Sequence, residues 1–252
     1  MTDFAPNDIL FTRDGTTATI TLNRPDALNA ITPAMLHRLG DLLDDLAHDP
    51  SAHVVVITGS GRAFSAGVDL KALGDRELVD GKVGDILDLP ARRVTGLLSS
   101  MPTITVAKVN GFCFTGALEL ALSCDVIIAA EEAQFGDTHA KFGLRPTWGM
   151  SQRLPRLIGM TAARELSLTA RTFGGAEALA LGMIARVAPR AELDAATDKL
   201  IASIAANSIG SLRAYKDLYD RAFNLSLSEA LDYESRTDYP IDDTEARLAG
   251  FR

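Results

Sequence analysis

One ionisable side chain stands out by its surroundings. Glu119 lies in Ala117-Leu118-Glu119-Leu120-Ala121-Leu122, an otherwise apolar run, where a carboxylate is costly unless it is paired or used. It follows Gly116 in the second of two segments built alike, VVVITGSGRAFSAGVDL and TITVAKVNGFCFTGALEL. Each reads as a buried strand, a turn of small residues and the start of a helix. Small residues let a ligand approach the backbone closely, and a helix start offers unpaired N–H groups at a positive dipole end. Two such N–H groups aimed at one point would form an oxyanion hole. The other reading of the same turns is packing alone.

Generic motifs add nothing to this pair. Ser65 in Ala63-Phe64-Ser65-Ala66-Gly67 lacks the first glycine of a nucleophile elbow. Gly59-Ser60-Gly61 lacks the third glycine of a dinucleotide fingerprint, and no P-loop lysine follows it. The four histidines show no metal-ligand spacing, and His37 and His48 read as solvated helix residues. Cys113 and Cys124 cannot build a disulfide framework or a four-ligand zinc site, and their apolar contexts suit inert thiols.

The elements that must position the two turns are those of an α/β chain of 252 residues, 47% hydrophobic and 23% charged. ATITLN, VVVIT, TITVAKV and VIIAA read as strands. Thr32-Pro33 opens a helix whose apolar face is Met35, Leu36, Leu39, Leu42, Leu43 and Leu46. Residues 71–101 read as a mobile loop and then a helix from Ala91, and from about 161 onward the pattern is helical throughout. The net charge of −8 argues against nucleic acid or an anionic membrane surface as partner. With no signal peptide and no apolar run long enough to span a bilayer, the expected address is the cytoplasm.

Further blocks complete a pattern: LNRPDALNAI (22–31), GRAFSAGVDL (61–70), KVNGFCFTGALELALSCD (108–125), AQFGDTHAKFGLRP (133–146) and GMSQRLPRLIG (149–159). In this order and spacing the chain resembles the crotonase superfamily, the enoyl-CoA hydratase/isomerase family, over nearly its whole length. The resemblance implies a crotonase-like α/β spiral of ββα units over residues 1–190, holding the acyl-CoA site. It implies a C-terminal helical segment over 191–252 that assembles a homotrimer or hexamer. The substrate would be an acyl-CoA thioester, with CoA arriving as part of it and no metal or other cofactor. The oxyanion hole would be the N–H groups of Ala66 and Gly116. Ala27 and Leu28, with Gly67, Val68, Asp69 and Leu70, would hold the CoA arm. Arg24, Arg62 or Lys71 would either meet the CoA phosphates or be plain surface cations, and Phe251 and Arg252 would add a weak contact from the C-terminus.

Glu119 matches the first of the family's two catalytic glutamates. The second falls at position 139, where this chain has His139. An imidazole can do general acid–base work, with an ordinary pKa near neutrality, or it can simply line the pocket wall beside Asp137 or Thr138. Thr147 stands where some members carry a reactive aspartate. Trp148 is either core or part of the acyl pocket. The resemblance therefore implies an acyl-CoA lyase, most simply an enoyl-CoA hydratase. The alternatives are another enolate-forming reaction on a CoA thioester, an isomerase among them, or a weakly active acyl-CoA binder.

Overall fold

A computed structural model describes residues 7–74 and 78–251. Two sheets run through it. Strands β1 (Ile9–Asp14), β2 (Thr17–Leu22), β3 (Val54–Gly59), β5 (Ile104–Val109), β7 (Val126–Ala130) and β10 (Arg186–Ala188) form the larger one in the order β1-β2-β3-β5-β7-β10. Strands β4 (Ala63–Ser65), β6 (Phe112–Phe114), β8 (Gln134–Gly136) and β9 (Phe173–Gly174) form the smaller. From β3 to β8 the chain alternates, placing one strand in the large sheet and the next in the small one. All pairings are parallel except β1 with β2 and β8 with β9. The result is the ββα spiral of the crotonase fold.

Helix α1 (Pro33–Ala47) follows β2, α2 (Asp85–Ser100) follows β4, and α3 (Gly116–Ala121) follows β6. The local rules hold at α1: Thr32 Oγ1 accepts the Met35 N–H at 3.2 Å, Pro33 occupies the first position, and the predicted leucine face is buried. Strand β3 is buried along its whole length, as a parallel strand covered on both faces must be.

Four expectations are corrected. The turns after β3 and β5 each contain a three-residue strand, β4 and β6, too short to show a period in sequence. Past β4 the chain makes a 3-10 turn at Leu70–Leu73 instead of an α-helix, so only the second turn feeds a true helix N-terminus. Helix α2 begins at Asp85 and carries Pro90 within it, six residues earlier in the chain than the Ala91 start that its apolar spacing suggests. Finally, the region beyond 161 is not purely helical. After α4 (Met150–Ile158) and α5 (Met160–Thr169), β9 precedes α6 (Gly175–Ala180) and β10 follows it, and β10 closes the edge of the large sheet on β7.

After β10 the described chain is helical: α7 (Leu193–Ala205), α8 (Ile209–Ala222), α9 (Leu227–Arg236) and α10 (Thr244–Leu248). Lys216 on α8 ties this layer to the core. Its Nζ donates to Leu98 O at 3.1 Å, Thr103 O at 2.9 Å and Asp125 Oδ2 at 2.8 Å. Burial pushes the Asp125 carboxyl up, and Lys216 and Thr105 oppose that shift without cancelling it. Asp217 gathers α9 and the stretch after it by accepting from the hydroxyls of Tyr233 at 2.8 Å and Tyr239 at 2.7 Å. Among the described residues no helix is long and apolar enough to cross a membrane.

Candidate active site

The small sheet aims three segments at one place. Residues 66–70 leave β4, Thr115 to Glu119 leave β6, and Asp137 to His139 leave β8. Together with Val83, Phe142, Leu144, Arg145, Thr147 and Trp148 they line a cavity of about 100 Å³.

The first two segments touch through backbone. Gly67 has φ +97°, and a Cβ there would lie 2.6 Å from Thr115 Oγ1 and 2.9 Å from Phe114 O, so no side chain fits. Thr115 itself has φ +47° and ψ −116°, a strained conformation for a β-branched residue. Its N–H donates to Gly136 O at 2.9 Å, which fixes the turn to the third segment. Gly116 then opens α3, where a first-turn N–H has no partner within the helix.

Ala66 does not fill the place expected of it. Its N–H donates to Leu28 O at 2.9 Å, so it cannot also serve a ligand oxygen. The Gly67 N–H turns to Ser65 Oγ at 3.1 Å. Val68 is the next residue, and it borders the cavity. Its flanking groups join a short parallel ladder, with Ile31 N–H to Gly67 O at 2.8 Å and Asp69 N–H to Ile31 O at 2.9 Å. In that register the Val68 N–H points away from residue 31. The signal that separates Ala66 from Val68 is tertiary, since it depends on where the 24–31 turn docks.

That turn carries Ala27 and Leu28, with Leu28 and Asn29 both at positive φ. Buried Asn29 holds it, donating to Ser60 O at 2.9 Å and Ala63 O at 2.8 Å and accepting the Arg24 N–H at 2.8 Å. Arg24 is engaged within the protein, 2.9 Å from Asp69 Oδ2 and 3.7 Å from Asp8 Oδ2. Arg62 lies 5.9 Å over the Phe112 ring, and Lys71 is exposed. The expected contact from Phe251 and Arg252 falls on side chains outside the described residues.

Glu119 is 1% exposed. Its Oε1 accepts two backbone N–H groups, from Trp148 at 3.0 Å and Met150 at 2.9 Å. Its Oε2 is 3.6 Å from His139 Nε2. On the far side His139 Nδ1 lies 2.6 Å from Asp137 Oδ1. Burial pushes the imidazole pKa down, but hydrogen bonds and charge from Asp137 and Glu119 outweigh it and raise the value to about 9. An ordinary near-neutral histidine is thereby replaced by a standing imidazolium at pH 7. Burial likewise pushes the Asp137 carboxyl up, and its bonds to His139 and Ser167 hold it below the usual carboxylate range.

Trp148 is both core and lining. It is buried, borders the cavity, and donates its indole N–H to Asp88 Oδ1 at 2.9 Å. Asp88 has no counterpart in the sequence reading, because the start of α2 lies hidden among charged and glycine residues. Cys113 is buried as expected, with its thiol raised well above the usual range by that burial, whereas Cys124 is half-buried, its thiol still pushed up to about 12.

Comparison with known proteins points one way. A sequence model of the enoyl-CoA hydratase/isomerase family matches residues 12–251. The Mycobacterium tuberculosis protein named "probable enoyl-CoA hydratase echA8" is 38% identical over 242 residues, covering 96% of this chain and 92% of that one. The short-chain-enoyl-CoA hydratase of Clostridium acetobutylicum is 31% identical over 230 residues, covering 91% and 87%. Among solved structures, the Bacillus anthracis enoyl-CoA hydratase superposes with a TM-score of 0.86 at 30% identity, covering 91% of this chain and 88% of its own. With the spiral of ββα units, the buried Glu119 and a match running almost end to end, the chain belongs to the enoyl-CoA hydratase/isomerase family.

Proposed function

We propose that the protein is an acyl-CoA lyase that adds water across the 2,3 double bond of a trans-2-enoyl-CoA. The observation that carries this reading is the buried Glu119–His139–Asp137 chain at the edge of a cavity bordered by two backbone donors. The thioester oxygen binds the N–H groups of Val68 and Gly116, which stabilise the charge it gains as the enolate forms. The two N–H bonds on Glu119 Oε1 leave Oε2 to take a proton from water as its oxygen attacks Cβ. The imidazolium of His139 gives its Nε2 proton to Cα, with Asp137 holding the other ring nitrogen. Transfer of the proton from Glu119 to His139, across the 3.6 Å between them, restores both groups. The product gains one hydroxyl and one hydrogen, the elements of water.

The CoA arm lies along the ledge formed by Ala27, Leu28 and residues 67–70. A Thermobifida fusca relative solved with acetoacetyl-CoA supports thioester binding in this fold; it is 33% identical, with a TM-score of 0.81. We read residues 1–190 as the core and 191–252 as the assembly segment of a homotrimer or hexamer. Exposed Tyr215, Tyr219, Phe223, Leu227 and Leu231 support a covered surface on that segment. Light scattering should return three or six chain masses, and a monomer would overturn this part of the reading.

The test of the reaction is loss of the conjugated-thioester absorbance of crotonyl-CoA, followed across pH. His139 must be protonated to act, and its folded pKa is raised, so turnover is full below that value. It should fall as pH rises through about 9, and His139→Ala should be slow at every pH. Absence of hydration, or a wild-type rate unchanged between pH 7 and 10, counts against this reading.

A further inference from the structure

We propose that Asp88 is a positioning residue for Glu119, acting through the segment that carries Trp148; this rests on the hydratase reading of the site. Glu119 takes both its Oε1 hydrogen bonds from the backbone of residues 148 and 150. The carboxylate is therefore only as well placed as that segment. The stretch from Gly143 to Gly149 has no helix or strand of its own, and both glycines stand at positive φ. Backbone bonds from Leu144 N–H to His139 O and from Arg145 N–H to Gly81 O hold its first half, and side chains must hold the rest.

Asp88 supplies one hold, beside Arg153, whose Nη1 donates to Trp148 O at 3.0 Å. One oxygen, Oδ1, accepts the Thr147 hydroxyl at 2.7 Å and the Trp148 indole N–H at 2.9 Å. Two consecutive residues of the segment are thus tied to one atom on α2. Asp88 is 2% exposed and, among the described residues, has no ion-pair partner within 4.0 Å. A buried carboxylate without a cation is an expensive way to hold two donors. Its charge strengthens those hydrogen bonds in return.

The indole also gauges the distance to α3. A Cβ on Gly116 would lie 2.5 Å from Trp148 Cζ3, so ring and helix already touch. If the indole loses its anchor and tilts, the Trp148 N–H leaves Glu119 and the wall beside the Gly116 N–H moves as well. Misplacement by about 1 Å can lower a rate roughly 100-fold.

Asp88→Ala and Asp88→Asn decide the matter. Asn keeps a neutral acceptor of the same shape, whereas Ala removes it. Emission from Trp148, the sole tryptophan, should shift to the red in Asp88→Ala as the indole is released. With crotonyl-CoA, kcat should fall roughly 10- to 100-fold in Asp88→Ala while KM changes less than about threefold, and Asp88→Asn should recover most of the loss. A second reading is independent of the reaction. The His139 ring titrates by NMR, assigned by its absence in His139→Gln, and its pKa should fall in Asp88→Ala because the Glu119 carboxylate swings away. A folded Asp88→Ala with unchanged His139 titration and unchanged kcat overturns the proposal. If wild type leaves crotonyl-CoA untouched, the hydratase reading fails, and the titration alone still decides what Asp88 does. Should Asp88→Ala not fold, Trp148→Phe removes the indole donor together with part of the ring, and the same loss of kcat and lowered His139 pKa are expected in smaller measure; their absence overturns the proposal equally.

Discussion

Glu119→Gln should give a folded protein that hydrates an enoyl-CoA about 10²- to 10⁴-fold more slowly, the usual span for one acid–base group. The fold survives because the carboxamide oxygen can still accept the Trp148 and Met150 N–H groups that now bind Oε1. What is lost is a group able to take a proton from water. The amide nitrogen then faces His139 Nε2, currently 3.6 Å from Oε2, and one of the two negative charges that raise the imidazole pKa disappears. The high-pH limb of whatever activity remains should therefore move to lower pH. Thioester binding, measured by displacement with acetoacetyl-CoA, should change little. Full activity in Glu119→Gln would remove this residue from the chemistry.

Gly116→Ala should be nearly as damaging, for a steric reason. The added methyl would sit 2.5 Å from Cζ3 of Trp148, 3.0 Å from Cε3 and 3.1 Å from Cη2. Those ring atoms cannot retreat freely, because the indole N–H is bound to buried Asp88. Overpacking of this kind costs about 1–3 kcal/mol, visible as a lower denaturation midpoint. The first turn of α3 would shift, and with it the Gly116 N–H. A smaller ring partner relieves the clash, so Gly116→Ala/Trp148→Leu should be more stable than the sum of the two single losses predicts. Additive losses would show that the two residues do not share this contact.

Much of this site was legible in the chain because its determinants are local. Thr32-Pro33 starts a helix by capping and a fixed φ. Glu119 declares itself as a charge among leucines and alanines, whereas His139 is marked only by the family resemblance, as the residue at the second glutamate position. The parts that escaped are set by tertiary contact. Strands of three residues, such as Ala63–Ser65 and Phe112–Phe114, carry no period and exist because a neighbour pairs with them. Ala66 and Val68 look equally able to offer an N–H until Leu28 O claims the first. Asp88 reads as one more acid near a helix start, and only the fold brings the segment around residue 148 onto it. The imidazole, expected to titrate near neutrality, is lifted by its sequence neighbour Asp137 and by Glu119, which only the fold brings to it.

The Gly67–Thr115 contact bears on how this scaffold can change. The groups that meet the thioester oxygen in our reading are peptide N–H groups, and they are spaced by backbone approach that tolerates no Cβ at Gly67. Proline aside, substitution of a side chain cannot delete such donors. Residues 139, 147 and 148, by contrast, line the same cavity with side chains from a separate stretch of chain. Polarisation of the carbonyl is therefore carried by the backbone of two turns, whereas proton traffic is shared between Glu119, three residues past Gly116, and side chains on that later stretch. A lineage can redraft the second by a few codons while the first stays in place.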